Sequence, residues 1–135
     1  MRLEETPRFV DEHRLAIAAP RERVWEALEA YCDSLVAKRA MPVAWLLGTE
    51  PSAGFGISGR LPGKRLNLDG RHRFSRYRLS FALEGSGERT VLAALTFADF
   101  PGPHGRAYRA LVIGSRAHAV AVRRMLRAVN RKAVG

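Results

Sequence analysis

The last third of the chain, from Gly105 to Lys132, carries one continuous helical pattern. At about 100° per residue, its apolar residues gather within about a third of the circle, and its arginines gather on the opposite side. The first stripe comprises Tyr108, Leu111, Ser115, His118, Val122, Met125, Leu126 and Val129. The opposite side comprises Arg109, Arg116, Val120, Arg123, Arg127 and Arg131. The pattern predicts one long amphipathic helix, which needs a large apolar surface to lie on.

Alternating segments predict the sheet that supplies this surface. A first strand is predicted over Phe9 to Ala18, with the odd-numbered residues, including His13, on its more apolar face. A hairpin is predicted over Phe74 to Leu83 and Thr90 to Phe100. Its expected inward residues are Tyr77, Leu79, Phe81 and Leu83 on one strand, and Val91, Ala93, Leu95 and Phe97 on the other.

Glycine and proline divide the region between Val43 and Gly70 into short pieces. These pieces predict short strands at Val43–Leu47, Phe55–Ser58 and Arg65–Leu68, with Gly56 and Gly59 at bulges or bends.

Two short helices are predicted after the first strand. Pro20 and the following acidic residue Glu22 are helix-start signals, and an apolar stripe follows at Val24, Trp25, Leu28 and Tyr31. A second helix is expected from about Cys32 to Arg39. Cys32 has no nearby histidine or cysteine in sequence, so we interpret it as a packing residue.

These elements predict an α+β fold in a single domain over residues 1–135. An antiparallel sheet would hold the long C-terminal helix against one face, with the two short helices after the first strand.

Composition limits the class of protein. The chain has 135 residues, of which 47% are hydrophobic, so a packed core is expected. A single cysteine indicates a reducing compartment. The N-terminus has no secretory signal pattern, and no apolar stretch approaches the roughly 20 residues that span a bilayer. We therefore expect a cytoplasmic protein without a transmembrane segment.

The net charge of +10 is concentrated in two segments. Residues 60–78 contribute +6, and residues 103–135 contribute +8, because the latter hold seven Arg and one Lys without an acid. Such segments permit an anionic partner, including nucleic acid. A solvated helix surface explains the same charge, and we favour that interpretation.

The first strand and the phrase Ala18-Ala19-Pro20-Arg21-Glu22-Arg23-Val24-Trp25-Glu26-Ala27-Leu28 resemble the opening of a known superfamily. The chain is similar to the START, birch-pollen-allergen and polyketide cyclase/dehydrase group (SRPBCC), and the order of elements agrees over nearly its whole length. The resemblance implies a helix-grip fold with a cavity between sheet and last helix. Members carry or transform apolar and amphipathic small molecules. The short Gly-rich strands before Asp69 depart from the usual pattern, which implies a smaller cavity.

Ser115 and His118 are the first candidate site residues. They lie three apart inside the apolar stripe, so they would be neighbours on the helix. A buried polar group without a partner costs about 1–3 kcal/mol, so each needs a hydrogen-bond partner. That partner could be a ligand, for which His118 is also the candidate acid or base. We favour partners within the protein.

Arg71, Arg73 and Tyr77 belong to the second candidate, the basic run from Arg71 to Arg78. This run could hold an anionic head group or a single-stranded nucleic acid. Strand alternation places some of its arginines on the solvent-exposed face. We slightly favour this interpretation, in which the run is an exposed surface and not a binding site. In one uninterrupted strand, however, Arg71 and Arg73 would share the face of Tyr77.

We therefore predict a protein that binds a small apolar or amphipathic ligand, with or without an anionic group. The remaining predicted ligand contacts are Phe9, Leu15, Trp25, Phe81, Leu95, Val122 and Met125. No metal-ligand spacing and no cofactor motif is present, so neither is expected. Two alternatives stay open: a polyketide cyclase/dehydrase-like enzyme, and a basic RNA- or ribosome-associated protein. A homodimer is also open.

Overall fold

The computed structural model describes residues 8–38, 56–72, 75–85, 87–99, 102–103, 106–107 and 116–135. The main elements are β1 (Phe9–Ile17), α1 (Arg21–Lys38), β2 (Gly56–Leu61), β3 (Arg65–His72), β4 (Ser75–Glu84), β5 (Thr90–Asp99) and α2 (Ala117–Val134). The strand predicted at Val43–Leu47 lies outside the described residues. Within them, no helix is both long and apolar enough to cross a membrane.

The five strands form one open, curved, antiparallel sheet in the order β1-β5-β4-β3-β2. The last strand in sequence, β5, pairs with the first, β1. The N-terminal and C-terminal strands of the sheet are therefore neighbours. Both α1 and α2 pack on one face of the sheet, which we call the inner face, and they also pack on each other. The opposite face is the outer face. The predicted α+β helix-grip fold is confirmed.

Strand register decides which side chains reach the helices. Leu66 on β3 pairs with Phe81 on β4, which pairs with Ala94 on β5. All three are fully buried, as are Ile17 and the α2 residues they pack with. The core they form also includes Leu28 and Cys32 of α1, and Val122, Met125 and Val129 of α2.

The helix α1 begins where the sequence predicted it. The carbonyl of Pro20 accepts hydrogen bonds from the amides of Arg23 and Val24, which starts the first turn. The helix does not stop near Cys32, because Cys32 and Leu35 continue the buried stripe of Leu28 into the next two turns. The prediction of two short helices over this segment is therefore wrong, and one helix replaces them.

The helix α2 buries the predicted stripe from Val122 to Val129 and exposes Val120, Arg123 and Arg127. Its start differs from the prediction. Arg116 adopts a left-handed conformation, with φ 67° and ψ 7°, at the position before the first helical turn. A regular helix cannot pass through such a residue. The predicted uninterrupted helix from Gly105 is thus broken at Arg116.

Two bulges change the course of the edge strands. In β2 the pairing shifts between Ile57 and Gly59, which confirms the bulge expected near Gly59. In β1 the pairing shifts between Phe9 and Asp11, so Asp11 pairs with Thr96 although Phe9 already pairs with Phe97. The second bulge was not predicted, and it changes the facing of Phe9 and Val10 at the start of β1.

Candidate functional site

The direction of α2 determines what its beginning lies near. The Nη1 group of Arg23 donates to the carbonyl of Ala133 at 3.5 Å, which joins the end of α2 to the start of α1. Because α1 follows directly after Ile17, the end of α2 lies at the Ile17 end of β1. Because α2 also contacts β1, we infer that its first residues lie toward the other end of that strand.

The inner face is divided into an apolar part and a polar end. The apolar part contains Ile17, Phe81, Leu83 and Leu92, each at most 4% exposed. Toward the start of β1, the inward positions change in character. They comprise Asp11 and His13 on β1, Thr96 on β5, and the register position of Tyr77 on β4, interspersed with the apolar residues Leu79 and Ala98. We call this region the polar end.

Asp11 and His13 form a hydrogen-bonded pair at the polar end. Residues two apart on a strand share a face, and the Nε2 atom of His13 lies 3.2 Å from Oδ2 of Asp11. The side chain of His13 is 17% exposed and that of Asp11 is 32% exposed, so both are partly enclosed and still accessible to a ligand. A carboxylate that accepts from one ring nitrogen orients the imidazole and directs the other nitrogen elsewhere. Such a pair can hold a polar group or transfer a proton.

The bulge in β1 lies immediately before this pair and leaves the inward positions of Asp11 and His13 as the alternation predicts. It inserts Val10 as an extra residue, so Val10 packs against the core while Phe9 turns outward. Phe9 is 56% exposed and packs edge-to-face on Phe97, with ring centroids 5.7 Å apart. Phe9 was predicted to contact the ligand under α2, and the bulge makes that placement wrong.

Leu95 is the second correction. It pairs with Ser80 on β4 and with Glu12 on β1, which places it on the outer face. The prediction took the odd-numbered residues of β5 as inward. The buried inward set is instead Thr90, Leu92, Ala94, Thr96 and Ala98. Sequence alternation is ambiguous here because Leu92, Ala93, Ala94 and Leu95 are all apolar.

The structure brings five of the predicted ligand contacts together in or against one core. These are Leu15, Trp25, Phe81, Val122 and Met125. Leu15 is partly buried, and the others are at most 8% exposed. Their role in binding stays a prediction.

The other predicted site residues are placed only in part. Arg73 and Ser115 lie outside the described residues, and for Arg71, Tyr77 and His118 only the backbone is described. The register pairs Tyr77 with Gly70, and Arg71 with Arg76. Arg71 and Tyr77 therefore occupy opposite faces by position, because a hairpin separates them. The expectation that they share a face is wrong.

Asp11 and Thr96 are functional candidates that the sequence did not single out. His13 was expected to point inward, but it was interpreted as an ordinary core or rim histidine. The available signal in the sequence was that Asp11 and His13 are two residues apart, which places them on the same face of a strand. Thr96 offered none, because its inward orientation follows only from the pairing with β1.

A separate groove lies at the opposite end of the molecule. It has a volume of about 650 Å³, opens widely to solvent, and lies between the start of α1 and two hairpin turns. Its residues are Arg21, Glu22, Trp25, Glu26, Pro62, Gly63, Gly85 and Gly87. The guanidinium of Arg21 donates to the carbonyls of Gly63, Leu83 and Gly85, so this cation already has partners in the protein.

Cys32 is unsuited to nucleophilic chemistry. It is fully buried between α1 and the sheet, and burial raises its pKa to about 12, with Asp33 adding to the shift. At neutral pH the thiol is protonated, as its interpretation as a packing residue requires. Among the described residues, no three His, Cys, Asp or Glu side chains come together as a metal site.

The curved sheet and the helix it holds define a helix-grip protein. No family model and no curated protein sequence matches the chain. The chain does match solved structures. The di-domain ARO/CYC StfQ from the steffimycin biosynthetic pathway superposes with a TM-score of 0.57 at 14% identity, covering 91% of this chain and 49% of StfQ. This chain thus spans about half the length of StfQ.

Two single-chain structures are similar over nearly their whole length. A conserved protein from Geobacillus kaustophilus matches with a TM-score of 0.56 at 12% identity, over 91% of this chain and 93% of that one. Mll3558 from Rhizobium loti matches with a TM-score of 0.56 at 14% identity, over 90% and 94%. Identities this low establish a shared fold and nothing about activity.

Proposed function

We propose that this protein binds a small apolar or amphipathic molecule between the inner face of the sheet and α2. The apolar body of the ligand would contact the side chains around Leu15, Phe81 and Met125, and its polar group would meet Asp11 and His13. The observation that carries the proposal is the grouping of Asp11, His13 and Thr96 at one end of a mainly apolar inner face. Ligand sites typically combine apolar walls with a few such convergent polar groups.

Two positions that the sequence selected independently are compatible with this proposal. His118 belongs to the first turn of α2, which starts toward the polar end, and Tyr77 occupies an inward register position beside Ala98. In the proposed complex, His118 and Ser115 contribute to the same polar group. Arg71 and Arg73 would act at the entrance if the ligand carries an anionic group.

The similarity of fold to StfQ, a di-domain ARO/CYC from the steffimycin biosynthetic pathway, supports a second candidate. In that alternative the protein is a cyclase-like enzyme, and the Asp11–His13 pair supplies acid–base chemistry. The ring of His13 would accept a proton from a carbon next to a carbonyl, and the carboxylate of Asp11 would stabilise the resulting imidazolium. Both candidates use the same polar end.

Native mass spectrometry of the protein purified from its own host tests the binding proposal first. A retained molecule with an apolar skeleton is expected. The His13→Ala and Asp11→Asn variants, prepared in the same way, should each retain about tenfold less of this molecule. The first variant loses the hydrogen bond from His13 to the ligand, and the second weakens the contact that orients the His13 ring. Arg14→Ala is the matched control, since Arg14 lies on the same strand with its side chain on the outer face.

Equal retention by the His13 and Arg14 variants would refute the placement of the polar group. Absence of any retained molecule, together with no binding of the apolar fluorescent anion anilinonaphthalene sulfonate to the folded protein, would refute the binding proposal. If the retained molecule is converted by the parent protein and not by His13→Ala, the cyclase-like candidate is favoured.

A further inference from the structure

The arginines of this protein fall into two structural groups. On the sheet and α1, described arginines have partners. Arg60 on β2 reaches Glu29 and Asp33 of α1, and Arg78 on β4 contacts both carboxylate oxygens of Asp69 at 2.7 and 3.0 Å. These cations hold elements of the fold together, and their charges are neutralised where they stand.

The cations of α2 are different. Each is exposed, and within the described part of the chain none of them forms an ion pair. The set comprises Arg116, Arg123, Arg124, Arg127, Arg131 and Lys132. No acidic residue occurs between residues 103 and 135. Within the described part of the chain, α2 therefore carries the densest group of cations without an ion-pair partner.

The four arginines within α2 share one side. At about 100° and 1.5 Å per residue, Arg123, Arg124, Arg127 and Arg131 fall within an arc of roughly 100° and a length of about 12 Å. Arg116 precedes the same side. The opposite side of α2, centred on Met125 and Val129, is fully buried. We call the exposed side of α2 the basic face.

We propose that the basic face binds the phosphate backbone of a nucleic acid without sequence preference. Arginine predominates over lysine here, and its planar guanidinium donates two parallel hydrogen bonds to phosphate oxygens. A row of unpaired guanidiniums complements the regular charge of a polyphosphate chain.

An anionic membrane is the less suitable partner. A helix that lies in a membrane interface inserts its apolar side, and the apolar side of α2 is occupied by the core. Only Val120 and Val134 are large exposed apolar residues on this helix among those described, at 53% and 46%. The basic face is also on the far side of α2 from the proposed ligand site, so the two proposals are independent.

The test is fluorescence anisotropy of the full chain with a labelled 20-nucleotide oligouridine between 50 and 200 mM salt. The variant combines Arg123→Gln, Arg127→Gln and Arg131→Gln. The matched control removes the same charge from exposed cations elsewhere, through Arg8→Gln, Lys64→Gln and Arg89→Gln. Circular dichroism and thermal melts confirm that both triple variants are folded.

We expect the α2 variant to lose at least tenfold in affinity at 50 mM salt. The slope of log K against log salt should become shallower by about 2, since each single-strand phosphate contact contributes about 0.7. The control should stay within twofold of the parent chain. Similar losses in both variants would overturn the proposal, because only net charge would then matter. Binding to phosphatidylserine vesicles without binding to the oligouridine, or affinity independent of salt, would also overturn it.

Discussion

Replacement of Arg21 by alanine should destabilise the fold more than its half-buried position suggests. Arg21 is the first residue of α1, and its guanidinium joins that helix to the β2–β3 and β4–β5 turns of the sheet. Its Nη1 group donates to the carbonyl of Gly63 at 3.0 Å and to that of Leu83 at 3.2 Å, and Nη2 donates to the carbonyl of Gly85 at 2.6 Å.

The magnitude follows from the number and exposure of these bonds. A hydrogen bond from a charged donor contributes about 1.5–3 kcal/mol when buried. Here the acceptor carbonyls lie beside an open groove, so water can replace part of the lost bonding. We therefore expect Arg21→Ala to lower the free energy of unfolding by about 2–3 kcal/mol in total.

Urea denaturation followed by circular dichroism measures this change, with the m-value held as a check on two-state behaviour. Arg23→Ala is the matched control, because Arg23 lies on the same turn and makes one long contact to Ala133. Arg23→Ala should lower the free energy of unfolding by about 0.5 kcal/mol or less. Arg21→Lys should recover less than half of the loss, since one ammonium cannot reach both turns. A difference between Arg21→Ala and Arg23→Ala below about 0.5 kcal/mol would refute the reasoning.

Three further predictions concern the core and the turns. Phe81→Ala should cost about 3–5 kcal/mol in urea denaturation, because Phe81 is fully buried between the sheet and the helices, and a loss below about 1.5 kcal/mol would show that it borders empty space. Gly85→Ala should destabilise more than Gly87→Ala by at least about 1 kcal/mol, because a Cβ at Gly85 meets the carbonyl of Arg89 at 2.8 Å, while Gly87 has open space, although both have positive φ. Cys32 should make stability fall as pH rises above about 9, because the unfolded thiol titrates near 9.0 whereas burial raises the folded pKa to about 12. Between these values the unfolded state binds fewer protons than the native state, so unfolding is favoured, and Cys32→Ala should lose this part of the decline measured between pH 8 and 10.5.

The helices were the most predictable part of the fold. Their buried stripes repeat with the helical period, and periodicity survives local ambiguity, as the burial of Val122, Met125 and Val129 shows. Where the helices begin and end was less predictable. The left-handed backbone of Arg116 has no signal in the residue itself, since arginine rarely adopts that conformation. The continuation of α1 past Cys32 depends on Leu35 reaching the sheet.

The candidate site was less predictable because strand faces depend on register. One inserted residue reverses every side chain before it, and this displaced Phe9 from the inner face. On β5, apolar residues occupy both odd-numbered and even-numbered positions. Hydrophobicity therefore did not distinguish the inner face from the outer face, and Leu95 was assigned to the wrong face. The Asp11–His13 pair was visible in the sequence as a spacing, but its position beside the start of α2 depends on contacts between distant segments.

Within the described part of the sheet, β2 is an edge strand, and this has a consequence for self-association. A strand at the border of a sheet offers its unpaired backbone to a second molecule, and such pairing can propagate into aggregates. In β2 this border is interrupted by the bulge before Gly59, and the inward charge of Arg60 is bound to Glu29 and Asp33. Adding a neighbouring strand there would require a straightened backbone and would disturb that ion-pair cluster. If this protein forms a homodimer, β2 is therefore a poor place for the sheets of two copies to join.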